Sequence, residues 1–300
     1  MVNTKEEIVN KETFQGFHVL VITIGILSII ATAIGVFYTT GGEAFDVTNI
    51  YGHTIKMWGD GIYKYDSYFK APLSRGTDLS MLLFSIPILI LALLLDIKKA
   101  SMKTRVFLVS LMGTFIYYSA SYSFGVTYNL LFLVYITLLS CSLLALIMGI
   151  RSIDLKELQN NLGESIPFKG IYSFSILSSV ALFVAWLPDI ISSILAGNTL
   201  QLIDTYTTEI TYVIDMGLLS PLFLASIYLI VKKDALGYLS FLILSMICIL
   251  IAPVLMLQSV FQTVAGIETP IAAMITKIGI FILLGMWASY LQIRLYKNMK

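Results

Sequence analysis

Eight times in 300 residues the chain runs through about twenty consecutive, mostly apolar residues, the length a helix needs to cross the hydrocarbon core of a bilayer. No other feature narrows the fold as far. A run of that length cannot leave backbone N–H and C=O groups unpaired in lipid, so each must be helical. The runs lie at residues 17–38, 78–95, 106–124, 130–150, 171–195, 208–231, 236–257 and 271–293. In the fifth, Trp186 and Pro188 are expected to mark the outer end, leaving residues 190–195 in the interface. Composition agrees, with 58% hydrophobic residues, 12% charged residues and a mean hydropathy of +0.88. Soluble domains carry roughly a quarter charged residues. So few charges cannot cover a water-facing surface, which excludes a soluble enzyme, a nucleic-acid-binding protein and a disordered chain. The expected fold is all-α and integral to the membrane. It is one polytopic domain over residues 1–300, an eight-helix transmembrane bundle with a small extracytoplasmic β-hairpin between helices one and two.

Lys and Arg set the orientation, because cytoplasmic flanks hold the excess of positive charge. With the N-terminus inside, 14 of the 19 fall in cytoplasmic segments, among them Lys98, Lys99, Lys103, Arg105, Lys232 and Lys233. Lys56, Lys64, Lys70 and Arg75 share one outer loop, and Lys277 lies within a span. Both termini are therefore expected in the cytoplasm, with the chain in the cell membrane and the lipid bilayer as its main partner. The first span is too long for the apolar region of a signal peptide and reads as a retained helix. Cys141 and Cys248 both fall within spans, so they form no extracellular disulfide framework.

Residues 39–77 form the longest polar stretch. Two β-prone runs, Phe45-Asp46-Val47-Thr48-Asn49-Ile50 and Thr54-Ile55-Lys56-Met57-Trp58, flank a Tyr51-Gly52-His53 turn. Gly59-Asp60-Gly61 makes a second turn before Ile62-Tyr63-Lys64-Tyr65. Glycine supplies the positive φ such reversals need. A lone hairpin is marginal in water, so Trp58, Tyr63, Tyr65 and Phe69 are expected to pack it onto the helix mouths. It serves either as a lid over an outward cavity or as a brace on the bundle. Residues 151–170 and the first fourteen read as polar connector and interfacial lead-in.

Helices two and six share a pattern. Each carries an aspartate, a proline and a lysine pair, and eleven residues separate the proline from the pair in both, Pro87 to Lys98 and Pro221 to Lys232. The spacing from Asp78 to Pro87 is nine and from Asp215 to Pro221 six, so the match is partial. It points to a parallel four-plus-four repeat, residues 1–150 and 151–300.

Part of the chain resembles a family of prokaryotic multi-pass membrane proteins of about eight helices. The residues that carry the likeness are Gly59-Asp60-Gly61-Ile62-Tyr63 with Asp66-Ser67, then Arg75-Gly76-Thr77-Asp78 leading to Pro87, then Tyr128-Asn129 with Phe132-Leu133-Val134-Tyr135. They cover roughly residues 45–150. The resemblance implies a membrane protein and supplies no activity.

Ionisable side chains inside a bilayer are costly and usually face a cavity or a partner. Asp215 and Lys277 fall at one depth, about 10 Å below the outer boundary at 1.5 Å per residue. Asp189 lies near the outer end of the fifth helix. Asp78 opens the second, where a helix N-terminus favours negative charge. Arg75, Tyr122 and Asn129 stand at the same level, with Tyr117, Tyr118 and Tyr135 close by and Gln258 and Gln262 just beyond the seventh span. The inner halves look aliphatic. Asp215, Lys277, Asp189, Asp78, Arg75, Tyr122 and Asn129 are therefore the candidate binding residues. Asp215 and Lys277 read equally well as a structural ion pair.

No Walker sequence, HExxH or GxSxG occurs. The only two histidines, His18 and His53, belong to opposite faces, so no metal site and no cofactor are expected, and an enzyme is disfavoured. The leading expectation is binding or transport of a small polar solute or ion through an outward-facing polar cavity. The alternative is a non-transporting sensor or a subunit that meets a membrane-protein partner. A lipid-modifying enzyme ranks third.

Overall fold

In a computed structural model, the chain is described over residues 2–162, 166–268 and 271–299, with side chains over 15–162, 166–268 and 278–299. Eight helices are long and apolar enough to cross a membrane. In chain order the elements are α1 (Val2–Phe37), β1 (Phe45–Thr48), β2 (Thr54–Met57), α2 (Lys70–Lys99), α3 (Met102–Gly125), α4 (Phe132–Arg151), the short α5 (Leu155–Asn161), α6 (Phe168–Ala196), α7 (Ile210–Val231), α8 (Ala235–Val264) and α9 (Ile271–Asn298). All but α5 contain a span. The fold is a multi-pass helical bundle with a very small sheet.

Local chemistry sets the ends. Ser101 and Thr104 form a reciprocal capping box at the start of α3, satisfying N–H groups that a helix otherwise leaves open. Asp154 caps α5 and Asp234 caps α8 in the same way. Gly197, at φ +62°, closes α6. That helix runs through Pro188 without ending, so the expected break at Trp186–Pro188 is not there. Two corrections concern helices that hydropathy made too short. Helix α2 begins at Lys70, two turns before Asp78, and α8 continues through Gln258 and Gln262 to Val264.

Helices α2 and α7 each contain a turn of π-helix, at Met81–Ser85 and Asp215–Leu219. Both turns run into a serine and then a proline, Ser85-Ile86-Pro87 and Ser220-Pro221. Proline lacks the N–H that would bond four residues back, and a widened turn absorbs that loss.

Helix α1 packs on α2 and α4, and α3 packs on α2 and α4. In the second half α6 packs on α7 and α9, and α8 packs on α7 and α9. The halves meet where α3 and α8 cross, with α2 against α8 and α3 against α7. Helix α3 is the most buried span, while α4 and α6 present most of their surface outward. A bundle in lipid has no apolar drive between helices and relies on close packing and hydrogen bonds. Buried Ser179 and Ser220, bonded at 2.7 Å between α6 and α7, are one example.

The hairpin pairs Phe45 with Met57 through Thr48 with Thr54. Asn49 closes its tip by accepting from the Tyr51 and His53 N–H groups at 3.0 and 2.9 Å. The strands themselves are largely exposed. What covers the helices is the following turn, where Ile62, Tyr63, Asp66 and Ser67 are buried and Tyr65, expected to pack, is exposed. Gly61 has φ +63°, and a Cβ there would strike the Tyr38 carbonyl at 2.5 Å. A second loop, residues 198–209, locks this cap in place. Asn49 Nδ2 donates to the Asp204 carbonyl at 2.8 Å, Ser67 Oγ to the Asp204 carboxylate at 2.6 Å, and Lys70 pairs with Glu209 at 2.6 Å.

Candidate functional site

Asp78 is wholly buried, in the third turn of α2 and below the cap. Its carboxylate accepts from Tyr118 of α3 at 2.9 Å and from Tyr63 of the cap. Tyr63, Tyr118, Tyr122 and Tyr135 form one aromatic wall, with centroids 4.3 Å apart for Tyr118–Tyr122 and 5.4 Å for Tyr122–Tyr135. Space for the carboxylate comes from Gly35 of α1, where any Cβ would overlap it. Burial holds the Tyr63 phenol well above the usual range, and the nearby Asp78 charge adds to this. Tyr63 therefore stays protonated as a donor. Asp78 is not at the helix N-terminus, so the macrodipole does not account for it.

Of the other candidates, Arg75 and Tyr122 join this cluster. Arg75 donates to the Val36 carbonyl at 2.9 Å and lies over the Phe261 ring at 5.5 Å, while Tyr122 donates to the Ser74 carbonyl at 2.8 Å. Asn129 opens α4, its Oδ1 accepting from the Leu131 N–H at 2.9 Å, and its side chain reaches the neighbourhood of Tyr135.

Asp215 and Asp189 form a separate set. Asp215 accepts from Tyr117 of α3 at 3.1 Å and from the Trp186 indole at 2.9 Å. Trp186 stacks on Tyr212 at 4.5 Å, and Tyr212 donates to Asp189 at 2.9 Å. Neighbouring tyrosines of one helix, Tyr117 and Tyr118, thus serve the two intramembrane carboxylates. The side chain of Lys277 lies outside the described residues, so the expected pair with Asp215 does too. Among the described residues neither Asp78 nor Asp215 is within salt-bridge distance of a cation. The same residues hold no group of three His, Cys, Asp or Glu side chains that could bind a metal.

An open cleft of about 430 Å³ lies at the hairpin end, between the hairpin, the end of α6 and the 198–204 loop. Asp189, Asp204 and His53 line it, and Asp78 and Asp215 do not. The single outward cavity expected to gather all the carboxylates is therefore divided. Its deep members are covered.

The opposite end is not aliphatic throughout. Asp96 of α2, fully buried, meets His18 of α1 at 2.8 Å and Arg105 of α3 at 2.8 Å. Thr104 donates to it at 3.1 Å, and Arg105 reaches on to Ser152 after α4 at 2.8 Å. Sequence reasoning missed this knot because each member had already been assigned to a cytoplasmic flank. It also missed Tyr63 and Asp66 as partners of buried groups, although both sit in the glycine-rich turn it singled out. Known proteins offer no assignment: no family model matches the chain, and no curated protein and no solved structure matches it.

Proposed function

We propose that this protein binds a small polar solute or ion at Asp78 and carries it across the bilayer, with the cap as a lid on the extracytoplasmic face. One observation carries the reading: a carboxylate buried in a membrane span is held by neutral hydroxyls, one of which belongs to the extramembrane cap. A buried carboxylate kept for stability alone gains most from a cation, as Asp96 does. Asp78 keeps its charge or proton available, and lifting Tyr63 would uncover it from the hairpin side. The charge bias that places 14 of 19 Lys and Arg on the terminal face supports an extracytoplasmic cap. Helix contacts that recur between the halves, with matching π-turns before Pro87 and Pro221, support a four-plus-four repeat in which Asp215 falls about one turn inward of the Asp78 position.

Uptake of a panel of ions and small polar solutes into proteoliposomes tests this reading. The wild type should accumulate at least one of them, and Asp78→Asn should abolish that uptake. A second reading, a non-transporting sensor, draws on the His18–Asp96–Arg105 knot, which closes the far end of the first half. A ligand that raises the melting temperature through Asp78 but never enters the vesicles would favour the sensor.

A further inference from the structure

Two buried side-chain oxygens near Asp78 have no hydrogen-bond partner among the described residues, Asp66 Oδ2 and the Tyr135 hydroxyl. Of the thirteen such atoms among the described residues nine are Ser or Thr hydroxyls, whereas Asp66 holds the one carboxylate oxygen and Tyr135 belongs to the aromatic wall around Asp78. These two belong to one neighbourhood. Asp66 ends a turn whose N–H bonds to the Tyr63 carbonyl at 2.8 Å. Tyr135 stands beside the Tyr63 side chain and within electrostatic range of both Asp66 and Asp78. Tyr63 in turn donates to Asp78. Taken in the order Asp66, Tyr135, Tyr63, Asp78 they form a row in which no member is more than 1% exposed.

We infer that this row is a proton relay, and that the ion taken up at Asp78 from the hairpin side is the proton. The inference rests on the reading of Asp78 as the functional carboxylate and names its cargo or coupling ion. Carboxyl and phenol oxygens can each receive one proton while releasing another. In one passage, protonated Asp66 gives its Oδ2 proton to the Tyr135 oxygen, directly or across a bridging water. Tyr135 releases its own hydroxyl proton to Tyr63, and Tyr63 releases its own to Oδ2 of Asp78. Asp66 ends ionised, Asp78 ends neutral, and both phenols are restored.

The surroundings suit the task. The other oxygen of Asp66 accepts from the Thr127 N–H and the Tyr206 hydroxyl, each at 2.8 Å, which leaves Oδ2 as the place for a proton. Burial lifts the Asp66 carboxyl to about 6, against those two bonds and the Lys70 charge. Lys70 is itself neutralised by Glu209, and Arg75 lies within electrostatic range of Asp78 but beyond salt-bridge distance.

The test is a pH jump on the full chain in lipid nanodiscs, followed by time-resolved infrared absorption of the carboxylic C=O stretch. The Asp78 band is identified by its loss in Asp78→Asn. Tyr135→Phe removes one hydroxyl and keeps the buried ring in the wall, so it should melt close to the wild-type temperature. The relay requires that Tyr135→Phe reach the wild-type amplitude of the Asp78 band about a hundredfold more slowly, and that Asp66→Asn slow it likewise. Wild-type rates in both variants would overturn the relay and leave solute binding at Asp78 standing. The absence of any titrating Asp78 band between about pH 4 and about pH 9 would overturn the proton assignment. Infrared kinetics as expected in a protein without vesicle uptake would support the relay and count against transport alone.

Discussion

Helix α2 carries a fully buried aspartate toward each end, Asp78 at the hairpin end and Asp96 at the terminal end, eighteen residues apart. At about 1.5 Å per residue that is roughly 27 Å, most of a bilayer core. The two are answered differently. Asp96 meets a guanidinium and an imidazole, each at 2.8 Å. Asp78 meets two phenols and no cation within salt-bridge distance among the described residues. A buried carboxylate facing a fixed cation is committed to its charge, and the pair ties α1, α2 and α3 together. A carboxylate facing hydroxyls can gain or lose a proton, or a bound cation, without stranding an opposite charge. The first arrangement suits a joint and the second suits a site.

The contrast predicts a ranking of mutational costs. Arg105→Met should be the most damaging, since it removes the guanidinium and leaves Asp96 buried with only His18 and the Thr104 hydroxyl among the partners described above. Removing one partner of a buried pair costs about 3–5 kcal/mol, visible as a fall of many degrees in the melting temperature in detergent. A near-neutral result would mean that Asp96 is no structural joint. Next comes a pH effect at the cap. The folded-state value of Asp66, about 6, lies above its unfolded value, so the native cap binds the extra proton. The associated penalty is absent below about pH 4, grows as pH rises, and is complete above about pH 6, changing by on the order of 1 kcal/mol per pH unit. The protection factors of the cap amides, with the intrinsic pH dependence of exchange divided out, should therefore fall across that window in the wild type and stay level in Asp66→Asn. A slope of the opposite sign would contradict the burial of Asp66. Gly35→Ala should be milder, about 1–3 kcal/mol, because its methyl must displace the Asp78 carboxylate. A melting temperature equal to that of the wild type would mean that the close approach of α1 to Asp78 is not real.

The spans were legible because apolar runs of about twenty residues have only one solution in lipid. Their ends were not. Lys70-Ala71-Pro72-Leu73-Ser74-Arg75 is too polar to read as helix, yet Ala71 and Pro72 are buried and the segment carries α2 two turns further out. That shift turned Asp78 from a helix-capping residue into an intramembrane one. Asp78, Asp215 and Asp189 stood out as costly charges within apolar sequence. Their partners did not, because Tyr63, Tyr118, Trp186 and Tyr212 come from other segments and nothing in local spacing links them. The Asp96 knot was hidden for a related reason. His18 lies 78 residues from Asp96, and a charge near a helix end counts toward orientation until a structure reveals its burial.

The most direct test sets Asp78→Asn and Asp96→Asn side by side, measuring melting temperature and vesicle uptake for each. Asn at 78 keeps the shape of the side chain and can still accept from a tyrosine, so the account predicts a stability within about 1 kcal/mol of the wild type and no uptake. Asn at 96 removes the carboxylate that both Arg105 and His18 meet, and the account predicts a protein lowered by about 3–5 kcal/mol. Wild-type uptake in Asp78→Asn, or a loss of stability there as large as in Asp96→Asn, would contradict the division of labour between the two ends of α2.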